Sequence, residues 1–203
     1  TDSEWHACSC LALTAENSLL LEFLVELLPS DFFLSFDDPS SWRAAINPWG
    51  FLDGQALTGA LSKFLQASGG RLPRAVYAHD LAHQFVLSNQ DDALEILLGA
   101  GFDVRTKASS FQDQDCLDVA LAYDNSTAAA MLLLREPGLA SELSSDGSAR
   151  YVEVLELLRE AMDEPQAEKA LAAVRAFRKQ EMLEEQVSQV DAIERGVAGR
   201  VRM

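Results

Sequence analysis

Asp80-Leu81-Ala82-His83-Gln84-Phe85-Val86-Leu87-Ser88-Asn89-Gln90-Asp91-Asp92-Ala93-Leu94-Glu95-Ile96-Leu97-Leu98-Gly99-Ala100-Gly101-Phe102-Asp103-Val104 decides how the rest of the chain is read. In its first half Leu81, Ala82, Phe85 and Val86 have the i, i+4 and i+5 spacing of a short helix buried on one side. Ser88 and Asn89 interrupt that pattern, and a second follows in Ala93, Leu94, Ile96, Leu97 and Leu98. It stops at Gly99-Ala100-Gly101, where glycine can take the left-handed conformation that closes a helix. Two short helices joined by a tight turn make an αα-hairpin. Asp80 stands where a side-chain oxygen can cap the first helix.

The pattern recurs downstream. Asp115-Cys116-Leu117-Asp118-Val119-Ala120-Leu121 repeats Asp80 to Val86 at an offset of 35 residues, and Ala128 to Leu134 supplies the second helix. Self-similarity at such a period predicts a solenoid, because one helix pair cannot bury its apolar face alone. Between the copies, Arg105 to Gln114 reads as a polar loop.

The helix pair ending in Leu97-Leu98-Gly99-Ala100-Gly101-Phe102-Asp103-Val104 resembles an ankyrin repeat, with His83 where that family often has histidine. Asp80-Leu81 departs from the family's usual Thr-Pro. Ala15-Glu16-Asn17-Ser18 is similar to the Ala-x-Asn-Gly hairpin turn, which makes residues 7–28 a first, degenerate unit. Glu153 to Ala161 resembles the second helix of a last unit, a C-terminal cap whose short first helix would come from Gly138 to Ser144. The resemblance covers residues 7–28 and 76–161 and is specific over 80–135. It implies an all-α, ankyrin-like solenoid of stacked helix-turn-helix units, used as a noncatalytic protein-binding scaffold. For His83 it implies a hydrogen bond within the helix turn.

Charge and composition narrow the partners. The 203 residues carry a formal charge of −16, so a phosphate backbone is excluded as a partner and basic protein surfaces fit better. Residues 1–149 hold 7 basic and 21 acidic side chains, against 9 and 11 in residues 150–203, so the body carries the acidity. That acidity reads either as a solvated surface or as a partner-binding face. No apolar run approaches the roughly 20 residues that cross a bilayer. Cys8, Cys10 and Cys116 form no disulfide framework, which points to an intracellular setting, cytoplasmic or organellar. Thr1 fits either a trimmed chain or one whose targeting peptide is gone.

Other segments depart from the repeat. Leu19 to Leu28 is so apolar that it reads as a helix covered on nearly all sides. Residues 29–54 are rich in Pro, Ser and Asp yet hold Phe32, Phe33, Phe36, Trp42, Trp49 and Phe51, so they read as an ordered aromatic insertion that either carries specificity or caps the array. Gln55 to Ala67 predicts a helix stopped by Ser68-Gly69-Gly70. From Pro165 a long helix begins, with Leu171, Val174 and Phe177 and then Met182 or Leu183, Val187, Val190 and Ile193 read as one amphipathic stripe. It either packs back on the repeats or binds another chain. The tail from Gly196 has too little apolar content to fold by itself. The predicted organisation is a repeat domain over residues 1–163 and a helical extension over 164–203.

Patterns that carry chemistry are few. His6, Cys8 and Cys10 alternate and lack a second ligand pair, and His79 with His83 has no third ligand, so no metal is expected. No phosphate loop or Gly-x-Ser-x-Gly elbow occurs, and neither enzyme activity nor a cofactor is predicted. The expected function is a scaffold or accessory subunit of a larger protein assembly, and the alternative is an acidic inhibitor or immunity-type protein covering a partner's basic site. Partner-binding positions are Arg105, Lys107, Phe111 and Gln112 in the loop, Trp42 and Trp49 in the insertion, and Phe177 and Val187 on the long helix.

Overall fold

A computed structural model describes residues 18–37, 48–143, 149–163 and 165–200, and the all-α expectation holds. The α-helices are α1 (Ser18–Leu27), α2 (Gly54–Ser68), α3 (Ala75–Ala78), α4 (Leu81–Leu87), α5 (Asp91–Gly99), α6 (Cys116–Ala122), α7 (Ser126–Arg135), α8 (Arg150–Glu160) and α9 (Pro165–Arg200). Short 3-10 turns lie at Ser30–Phe36, Pro48–Phe51, Ser109–Phe111 and Pro137–Ser141. Among the described residues there is no strand, only isolated antiparallel bridges joining Ala108 to Gln114 and Leu143 to Ala149. Packing divides the chain into two compact units, Thr1–Ala128 and Ala129–Met203, with the boundary inside α7.

In the first unit each helix contributes one buried stripe. Leu81, Ala82, Phe85 and Val86 of α4 are buried, as are Ala93, Leu94, Leu97 and Leu98 of α5. α4 packs on α5 and α6, α5 on α2, and α2 on α1 and the Ser30–Phe36 turn. A backbone feature recurs with the sequence period: Gly54, Asn89 and Asp124, spaced by 35 residues, all take positive φ, at 45°, 53° and 53°. Glycine, Asn and Asp tolerate this left-handed region best, so the local chemistry fits each turn.

Polar bonds link segments separated by roughly one period. Gln90 Oε1 accepts from the Gly54 N–H at 3.0 Å, and Asn125 Nδ2 donates to the Val86 carbonyl at 2.9 Å. Lys63 Nζ donates to the carbonyls of Glu26 and Leu28, which would otherwise be loose ends of α1. Asp37 accepts from Arg71 Nη1 at 3.0 Å and from the Ala75 N–H at 3.2 Å.

Helix ends follow the sequence in part. Gly69 takes φ 68°, and the Gly70 N–H returns to the Leu65 carbonyl at 2.8 Å, closing α2. Gly101 takes φ 89° after α5. Asp115 forms a full capping box on α6: its carboxylate accepts from the N–H groups of Leu117 and Asp118, and the Asp118 carboxylate accepts from the Asp115 N–H. Asp80 does not cap α4. It is left-handed, and its carboxylate accepts instead from the Ser110 N–H and hydroxyl, drawn across to the loop that follows.

The aromatic insertion packs inward. Phe33, Phe36, Trp49 and Phe64 make a chain of edge contacts with centroid separations of 5.3, 5.2 and 5.8 Å. Such tilted pairs suit the ring quadrupoles and add to area burial. α1 is less covered than its composition predicts: Val25 and Leu28 are buried, but Leu19, Leu20, Phe23 and Leu27 are exposed.

In the second unit the Pro137–Ser141 turn, α8 and the first half of α9 share a core of Leu139, Ala140, Val154, Leu158, Ala167, Ala170, Leu171 and Val174. α9 is therefore part of this unit's core rather than an appendage starting at residue 164. Pro165 occupies its first position, as predicted, and the helix continues past Gly196 to Arg200, so the tail does not end it.

Asp115→Ala is expected to lower unfolding free energy by about 1–2 kcal/mol, while Asp115→Asn, which keeps the capping oxygen, loses less. Urea denaturation of the two variants checks this. Equal losses would contradict the cap.

Candidate protein-binding surfaces

The loop between α4–α5 and α6–α7 is built as a short closed finger. Ala108 N–H donates to the Gln114 carbonyl at 2.9 Å, Asp113 N–H to Ala108 at 3.0 Å, and Gln114 N–H to Phe111 at 3.0 Å. Gln112 and Asp113 at the tip both hold φ of 58°. Non-glycine residues there cost on the order of 1 kcal/mol each, a cost the surrounding bonds must offset.

Four predicted partner-binding residues lie on this finger. Arg105, Lys107 and Gln112 are exposed. Phe111 is half-buried, its ring stacked on His83 at 5.5 Å and 29°. Phe111 thus joins the finger to α4 rather than presenting a free aromatic face.

His83 is 1% exposed, and neither ring nitrogen has a partner at hydrogen-bond geometry, so the bond within the helix turn is not formed. Burial holds its pKa below 6.5, opposed by the charges of Asp80 and Asp115 and by the carbonyls of Gln114 and Thr106. Cys116 is buried too, and burial with the carboxylates of Asp115 and Asp80 pushes its thiol up, leaving it unreactive. No group of three His, Cys, Asp or Glu among the described residues could hold a metal.

The remaining predicted residues do not form one surface. Trp49 is 1% exposed and packed between Phe36 and Phe64, so it is a core side chain. This corrects its reading as a contact residue: the insertion folds onto α2, and an indole of that size gains more by burial than by exposure. Trp42 lies outside the described residues, as do His6, Cys8 and Cys10. Phe177 is half-buried against Gly138, where an added Cβ would come within 3.1 Å of its ring, so it anchors α9 in its own unit. Val187 is 61% exposed.

Sequence reasoning missed the exposed apolar row of α1, Leu19, Phe23 and Leu27. Their i, i+4, i+8 spacing was readable, but uniform apolarity concealed which side is covered. No family model, curated protein or solved structure matches the chain. No described helix is long and apolar enough to cross a membrane.

Three outcomes test this placement. Trp49→Ala is expected to cost about 3–5 kcal/mol of stability, as for a fully buried aromatic, measured by chemical denaturation. Gly138→Ala is expected to cost about 1–3 kcal/mol by forcing Phe177 to move, and a Gly138→Ala/Phe177→Leu double variant should recover part of it. His83 is more readily protonated unfolded than folded, so its contribution is complete above pH 6.5 and is lost as pH falls from there toward its lowered folded value. Unfolding free energy measured between pH 7.5 and 5 should fall more in the native chain than in His83→Leu.

Proposed function

We propose that the chain is a degenerate, ankyrin-like solenoid serving as a noncatalytic protein-binding scaffold or accessory subunit, with the finger at Arg105–Gln112 as its principal contact. The observation that carries this reading is the repetition of one backbone feature at the sequence period. Positive φ recurs at Gly54, Asn89 and Asp124, and the next residues, Gln90 and Asn125, each reach back to the preceding segment. Contacts confined to neighbouring units are what a solenoid requires. The finger supports the reading from another side: its exposed polar tip is held in a costly left-handed conformation, and such conformations concentrate where a shape is needed for function. Ala108 and Gln114 close its base while Arg105, Lys107 and Gln112 stay in solvent.

The −16 charge favours a second reading, an acidic inhibitor or immunity-type protein whose body covers a basic site. Ionic strength separates the two. Attraction between exposed charges weakens beyond about 8 Å at physiological salt.

A photo-crosslinking amino acid at Gln112 is expected to trap a specific protein in cell extract, while one at exposed Glu95 on α5 does not. Arg105→Glu/Lys107→Glu should reduce the trapped yield at least tenfold and leave the unfolding midpoint unchanged. Equal yields from both positions would remove the finger as the contact. Binding of the recovered protein that collapses between low and high salt favours the inhibitor.

A further inference from the structure

His83 sits at the joint between α4 and the finger. Its buried ring stacks on Phe111 of the finger, and neither nitrogen has a hydrogen-bond partner. A neutral imidazole can stay buried at the cost of unmet bonds, but a protonated one brings a charge and two N–H donors that must be satisfied. The charges that act on it come from Asp80, at the head of its own helix, and Asp115, the cap of α6. Both carboxylates are already engaged. Asp80 accepts from the Ser110 N–H and hydroxyl, a second link between α4 and the finger, and Asp115 accepts from the N–H groups of Leu117 and Asp118. α6 also brings the buried Cys116 thiol and Asp118, whose carboxylate accepts from the Asp115 N–H. From the finger come the Thr106 and Gln114 carbonyls, near the ring but outside hydrogen-bond geometry, while Arg105, Lys107 and Asp113 are exposed. The other helices packed on α4 direct their ionisable groups elsewhere. Tyr77 of α3 lies against Phe102, Asp91 of α5 accepts from the Asn125 amide at 3.4 Å, and Arg74, His79, Asp92 and Glu95 are exposed.

We propose that protonation of His83 unlatches the finger from α4, a switch that, given the protein-binding role proposed for the finger, controls that contact. A proton on this ring can be accommodated only by giving up an anchor. If Asp80 turns to the imidazolium, it leaves Ser110. If Asp115 turns to it, the cap of α6 at the finger's far end is lost. If the ring moves out to water, it leaves Phe111. Release is also favoured by the finger itself, because Gln112 and Asp113 hold left-handed backbones that relax once they are free. The sign follows from burial, which holds the ring's pKa below 6.5. The closed finger keeps His83 neutral and the open one exposes it, so the open population rises as pH falls through 6.5 toward the lowered value.

Backbone amide exchange of the full chain at pH 7.5 and 5.5, corrected for intrinsic exchange, reads the opening directly. Protection at Ser110, whose N–H bonds Asp80, and at Asp113, whose N–H bonds Ala108, is expected to fall on acidification. The fall should be at least roughly threefold, within the limit of about tenfold per pH unit for one linked proton. Amides of α2 and α5 should change far less, and His83→Leu should abolish the difference. Should that variant fail to fold, NMR of the native chain gives the same comparison, since the His83 ring and the Ser110 amide must then titrate together. Finger protection that stays constant or rises overturns the proposal, a rise meaning that the Thr106 and Gln114 carbonyls take up the imidazolium. So does a pH effect that survives in His83→Leu, which assigns it to Asp80 or Asp115, and so does an equal fall across α2 and α5, which is unfolding of the unit. The crosslinker at Gln112 separates the switch from the contact. A finger that opens while Gln112 traps nothing at either pH keeps the switch and removes the contact, whereas equal trapping at both pH values by a finger that stays protected does the reverse.

Discussion

Asn125 ties two successive segments together with one buried amide. Its nitrogen donates to the Val86 carbonyl in the last turn of α4, and its oxygen accepts the Ala128 N–H at 2.9 Å, starting α7. Burial of apolar surface is nondirectional and would allow helices to slide. A buried amide would not, because its groups lose their partners if the register shifts, at a cost of about 1–3 kcal/mol each. Gln90, one period earlier, makes an exposed bond of the opposite sense, its oxygen accepting the Gly54 N–H. Hydrophobic stripes thus supply the attraction, while the buried Asn125 amide fixes where it acts.

The same logic explains the left-handed turn residues. Asn89 and Asp124 hold positive φ where the chain reverses between two short helices, and Gly54 does so at the start of α2, all three being residue types suited to it. Gln112 holds positive φ at greater strain, beside Asp113, on an exposed loop tied to Asp80 through Ser110. The aromatic insertion extends the core in the other direction, from Phe64 through Trp49 and Phe36 to Phe33, with Arg71 over Phe64 at 5.2 Å.

Much of the fold was readable from the residues, because apolar spacing and glycine stops are local signals. The α4–α5 hairpin, its copy at α6–α7, the helix at Gly54–Ser68 and the start at Pro165 all follow from them. What was not readable depends on tertiary partners. Asp80 and Asp115 look alike in sequence, yet only Asp115 caps its helix, because Ser110 competes for Asp80. Trp49 and Val187 look equally fit for contact in the sequence, and only tertiary packing separates a core indole from a solvent-facing valine. On α9 the apolar residues up to Val174 are buried while Leu183 and Val187 are exposed, because half a turn separates Val174 from Leu183. His83 sat at a familiar position and still lacks the bond that the position implied.

The stacking of helix pairs through their turn residues is tested most directly by amide hydrogen exchange in Asn125→Ala. If Asn125 holds neighbouring segments in register, protection falls both at the start of α7 and in α4, 39 residues back at Val86. Loss confined to residues 124–129, with α4 as protected as in the native chain, would contradict it.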